Sequence, residues 1–143
     1  MSSIPLHYID LRAFCYVTED ESRVEDALRT FLPEEFEIDR AKSEGHYGDR
    51  ILVLSARVEK ADDIRTVLDA LAELPDEEFD RITDELDERV NENTAFFLTL
   101  DKQAAFKGTV ATGDGITFRA KVEAYPAKKE AAIENIEETL EEL

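Results

Sequence analysis

The sequence predicts a single α+β domain, a mainly antiparallel sheet with helices on one face, in the order β-α-β-β-α-α-β-β-α. Three observations carry this. Short segments alternate strictly between apolar and polar residues, as half-buried strands do; segments with apolar residues three and four apart lie between them, as amphipathic helices do. Charge is divided the same way, because the acids crowd the helical segments and spare the extended ones. At 143 residues the chain has the length of one domain, and no repeat, low-complexity tract or linker divides it.

The first strand has Ile9, Leu11, Ala13, Cys15 and Val17 on one side and Tyr8, Asp10, Arg12, Phe14 and Tyr16 on the other. Cys15 lies on the apolar side and reads as a small buried hydrophobe rather than a catalytic thiol. Thr18 and Glu21 have capping-box spacing, which starts a helix there; Val24, Ala27, Leu28, Phe31 and Leu32 form its apolar face, and Pro33 stops it. From Phe36 to Glu59 two extended runs flank a loop whose Gly45 and Gly48 suit the positive φ of a hairpin connection. The second run turns Leu52, Leu54, Ala56 and Val58 to one face and Ser55 and Arg57 to the other.

Residues 61–74 are helical through Ile64, Val67, Leu68, Leu71 and Leu74. Residues 76–90 read as one peripheral helix with a thin stripe of Phe79, Ile82, Leu86 and Val90. Phe96, Leu98 and Leu100 then alternate as a strand, Asp101 to Gly108 forms a short turn or helical bend, and Gly113-Asp114-Gly115 signals a hairpin turn. In the next strand Ile116, Phe118, Ala120, Val122 and Ala124 alternate with Thr117, Arg119, Lys121, Glu123 and Tyr125. Pro126 ends it, and a final helix from about Ala127 carries Ile133, Ile136, Leu140 and Leu143.

The chain has 35 acidic and 17 basic side chains, a net charge of −18. Acids concentrated on helix surfaces suit a halophilic cytoplasm, where salt screens self-repulsion; the alternative is an acidic protein with basic partners. One segment is exempt. Between Ala95 and Lys129, Lys102, Lys107, Arg119, Lys121, Lys128 and Lys129 face only Asp101, Asp114 and Glu123, a local excess of positive charge. A second basic-leaning patch, with Arg40, Lys42, Arg50, Arg57 and Lys60, spans the predicted hairpin. A lone cysteine excludes a disulfide scaffold, and the N-terminal residues lack the basic start and apolar run of a signal peptide. No stretch has the length and apolarity of a membrane span. Together these point to the cytoplasm.

A sheet covered on one side leaves the alternate residues open, here Tyr8, Arg12, Phe14, Tyr16, Arg57, Arg119, Lys121 and Tyr125. Rings interleaved with cations are what single-stranded RNA uses, since rings stack on bases and cations hold phosphates. A mixed solvent face also arises without function, and a protein interface favours the same residue types. The expected RNA contacts are Lys102, Lys107, Arg119 and Lys121, extended by Arg57 and Lys42, with Arg12, Tyr16 and His46 beside them. In the turn after Leu100, Asp101 accepts backbone N–H groups and Gly108 supplies positive φ, so that Lys102 and Lys107 project from a fixed loop.

The loop Gly45 to Ile51 (GHYGDRI), the run Leu100 to Gly108 (LDKQAAFKG) and the strand Arg119 to Pro126 (RAKVEAYP) resemble a family of small archaeal proteins described as predicted exosome subunits. The similarity covers most of the chain, and Asp-Lys-Gln-Ala-Ala-Phe is its most specific part. The resemblance implies RNA binding beside RNA processing, on a fold likened to the double-stranded-RNA-binding domain. The large negative charge departs from a usual RNA binder.

Catalysis finds little support. His7 and His46 lack a ligand cluster for zinc, and no phosphate-cradling glycine loop or nucleophile elbow occurs. Glu37 and Asp39 are the nearest approach to a two-metal carboxylate site, and a solvated strand edge explains them. The expectation is a non-catalytic RNA-binding protein without a cofactor. A protein–protein adaptor or homodimer using the open face stands second, and a metal-dependent nuclease third.

Overall fold

The structure is a computed structural model that describes residues 4–44 and 50–143. Its core strand is β1 (Leu6–Cys15), whose inward residues Ile9, Leu11 and Ala13 have no solvent exposure at all. Around it lie β2 (Asp39–Glu44), β3 (Arg50–Val58), β4 (Ala95–Asp101) and β5 (Gly115–Val122), in the order β2-β3-β1-β5-β4. Every neighbouring pair is antiparallel.

Helices cover one side: α1 (Glu21–Arg29), α2 (Ala61–Leu71), α3 (Asp76–Asp84), α4 (Leu86–Arg89), α5 (Lys102–Phe106) and α6 (Lys129–Glu141). Their apolar stripes meet the inward residues of the strands in one cluster that includes Leu28, Phe31, Leu54, Ile64, Leu71, Phe96, Phe118 and Ile136. Phe96 and Phe118 meet edge to face with centroids 6.1 Å apart. Each such side chain contributes about 2 kcal/mol by leaving water.

The α+β expectation holds, with local differences. Helix α1 starts at Glu21 and its cap is Asp20, which accepts from the Ser22 N–H; Thr18 plays no such part. The expected helix over 76–90 is two, because the chain leaves helical geometry at Glu85 (φ −100°, ψ 13°) and Val90 already bridges to Phe96. The bend after β4 is a true turn of helix, α5, capped by Asp101 accepting from the Ala104 N–H. Gly108 has φ +82°, as expected of the residue that closes it.

The segment after α5 covers the outer edge of β4. Asp101 N–H donates to the Ala111 carbonyl and Gly113 N–H to the Thr99 carbonyl, while Thr112 Oγ1 donates to Glu78 Oε1 of α3 at 2.7 Å. Edge β2 stays uncovered and every one of its residues is exposed, but its charged residues Asp39, Arg40, Lys42 and Glu44 discourage strand addition.

Candidate nucleic-acid interface

No described helix crosses the other face of the sheet, and the strand registers build that face row by row. Tyr8 lies opposite Lys121, Arg12 opposite both Ser55 and Thr117, and Phe14 opposite Val53. Asp10 lies between Arg57 of β3 and Arg119 of β5, and Arg119 is in turn opposite Phe97 of β4. The alternation of β1 therefore brings Arg12, Arg57, Arg119 and Lys121 together from three strands, against Asp10 and the edge residue Asp39.

The central row is tightly bound. Arg57 donates from Nε and Nη2 to the two oxygens of Asp10, each at 2.9 Å, and its guanidinium lies 4.1 Å from the Tyr8 ring centroid. That carboxylate, by hydrogen bonding and then by charge, raises the Arg57 pKa above its ordinary value. Arg119 stacks 5.7 Å from the Phe97 ring, and its buried Nε has no partner among the described residues. Lys121 is tethered at the rim, donating to the Asn93 carbonyl. That carbonyl belongs to a strained turn: Asn91 Oδ1 accepts from Asn93 and Ala95 N–H, and Thr94, a β-branched residue, sits at φ +60°. Arg12 is exposed and makes no ion pair among the described residues.

Two rings remain open beside this row. Phe14 is 38% exposed, and Tyr16, just past the end of β1, is 50% exposed. Tyr125 is fully exposed, but it follows β5 and borders a groove with Pro5, His7 and Asn135 instead of lying in the strand rows.

Three expected contacts lie elsewhere. Lys102 does not project: it is almost buried, and its Nζ donates to the Phe14 carbonyl at 2.9 Å and to Glu19 Oε1 at 2.8 Å. The reason is the tight turn, in which Gly115 (φ +112°) comes so near the Lys102 side chain that a Cβ there would meet it at 2.5 Å. Lys107 is exposed at the end of α5, which packs on α1 through Thr30 Oγ1 donating to the Ala105 carbonyl at 2.6 Å, so it belongs to the helix layer. Lys42 is opposite Leu52, which puts it on the helix side of the sheet and not in the open strip. His46 lies outside the described residues. Conversely, Asp10 and Phe97 were not expected in the site. Phe97 was legible as the odd member of the Phe96, Leu98 alternation; the pairing of Asp10 with Arg57 depends on strand order.

A family model described as RNA binding matches residues 8–122, from the start of the open face on β1 to the end of β5. The chain belongs to this RNA-binding family. The matched span includes the strand cations together with Tyr8, Phe14, Tyr16 and Phe97, and leaves out Tyr125 and α6. A Pyrococcus abyssi protein named as an RNA-binding protein is 37% identical over 145 residues, covering 94% of each chain. Among solved structures, a DUF54 protein from Methanothermobacter thermautotrophicus is 39% identical, with a TM-score of 0.80 over 94% of this chain and 98% of that one. One from Archaeoglobus fulgidus is 32% identical, with a TM-score of 0.84 over 93% and 98%. These two solved structures thus share the fold over most of this chain.

Proposed function

We propose that this protein binds RNA on the open sheet face without cleaving it, in an accessory role to RNA processing such as that of the exosome. The observation that carries the reading is the convergence of Arg12, Arg57, Arg119 and Lys121 on the one face that no described helix covers. Each guanidinium offers a planar fork suited to phosphate. The acids lie mostly elsewhere: α3 holds Asp76, Glu77, Glu78, Asp80 and Asp84 against one arginine, and α6 holds five glutamates against one lysine. Polyanions are thereby kept off the helix layer and steered to the sheet. No group of three or more His, Cys, Asp or Glu side chains placed to hold a metal ion occurs among the described residues.

Asp10 sets the strength of the site, because it occupies the fork of Arg57 that a phosphate would otherwise take. The test is a titration with RNA across a series of potassium concentrations. Arg12→Gln/Lys121→Gln should lose about one unit of salt slope per phosphate contact removed, largely independently of sequence. Asp10→Asn should bind more tightly than the parent. If the first variant folds and binds as the parent does at every salt concentration, the strand cations are not the RNA contact.

A further inference from the structure

We infer that the RNA taken by this face is unpaired, and that Phe14 and Tyr16 are the rings on which its bases stack. The inference rests on the RNA-binding reading and specifies its substrate. The rings of the face are not equivalent. Tyr8 and Phe97 are already covered by the guanidinium groups of Arg57 and Arg119. Phe14 has no cation over it among the described contacts, and the ammonium nearest Tyr16, that of Lys102 at 5.5 Å, is already bonded to Glu19 and to the Phe14 carbonyl. The face therefore has a closed half, where cations and rings satisfy one another, and an open half with two accessible π-surfaces.

Spacing selects the ligand. Phe14 lies near the end of β1 and Tyr16 is the first residue past the strand, two residues on, so an extended chain separates their positions by about 6.8 Å. That is roughly twice the rise of about 3.4 Å between neighbouring nucleotides of one strand of B-form DNA, and the A-form RNA duplex is more compact along its axis still. Bases lying on both rings must be splayed apart, which a paired helix does not allow and an extended single strand does. Arg12 precedes Phe14 by two residues on the same face, placing an exposed guanidinium where the backbone of such a strand would run on towards Arg119 and Lys121. A duplex would offer this face only its phosphates and leave the two rings unused.

The experiment compares the parent and a Phe14→Ser/Tyr16→Ser variant. Each is titrated with an unstructured single-stranded RNA and with a blunt RNA duplex of the same length in matched potassium, and sedimentation reports oligomeric state. The parent should prefer the single strand. The variant should lose about tenfold in single-strand affinity per ring, since stacking on one aromatic side chain contributes about 1–3 kcal/mol, while the salt slope and duplex affinity stay unchanged. Phe14→Tyr/Tyr16→Phe should restore single-strand binding. The inference is overturned if the parent binds the duplex equally well, or if the serine variant keeps its single-strand affinity while Arg12→Gln/Lys121→Gln loses it; the cationic site then stands without a stacking platform. A change of oligomeric state with RNA affinity intact would instead assign the two rings to a protein interface. A parent that binds neither RNA removes both readings together.

Discussion

Lys102 is the cation that the fold withdraws from solvent. Its side chain is 11% exposed and that of its partner Glu19 23%, so the pair sits in a medium where removing one member leaves the other charge poorly solvated. Lys102→Ala should therefore lower the free energy of unfolding by about 2 kcal/mol, below the 3–5 kcal/mol typical of a fully buried pair because Glu19 retains some contact with water. Urea denaturation midpoints measure this. Restoring apolar volume while removing the orphaned charge, as in Lys102→Met/Glu19→Gln, should recover part of the loss. If Lys102→Ala is as stable as the parent but binds RNA less well, Lys102 is a ligand contact and not a tether between β1 and α5.

The boundaries of the helices follow from which backbone groups find partners. Asp20 caps α1 because both the N–H and the hydroxyl of Ser22 donate to it, at 2.9 and 2.7 Å, and these bonds hold its carboxyl below the ordinary range. Thr18 lies too early in the turn to reach the same groups. By contrast the N-cap of α2 is Lys60, whose extended backbone suits a cap but whose side chain accepts nothing and sets a positive charge at the positive end of the helix dipole. Asp62 and Asp63 in the first turn offset it in part. Lys60→Ser should add an acceptor and remove that charge, raising stability by about 1 kcal/mol, to be read as a rise in the thermal midpoint. No change would mean that water already caps this end as well as a hydroxyl does.

Charge is distributed by layer in the folded molecule. The net charge of −18 is carried by the helix surfaces, while the sheet face gathers cations. Like charges on adjoining helices repel in dilute buffer, and the repulsion weakens as the Debye length falls from about 30 Å at 0.01 M to about 3 Å at 1 M salt. Stability should accordingly rise from dilute buffer to molar potassium chloride, measured as an increase in the urea midpoint. RNA affinity should move the opposite way, because phosphate contacts weaken with salt. A urea midpoint unchanged across that range would show that the helix acids do not strain the fold.

Alternation in β1, β3, β4 and β5 and helical spacing in α1, α2 and α6 were enough to determine the α+β architecture and almost all of the core, because burial of a face imposes its period on the residues themselves. Parity also placed Arg12, Phe14, Arg57, Arg119 and Lys121 on the face away from the helices. Strand order has no such local signature. It is the order β2-β3-β1-β5-β4 that puts Arg57 and Arg119 on either side of Asp10, and so decides which cations are already neutralised. Local spacing was equally silent on Lys102, whose neighbours in sequence suggest a solvated turn but whose partners Phe14 and Glu19 arrive from 88 and 83 residues away. Long-range contact alone supplies the acceptors that hold that charge inside.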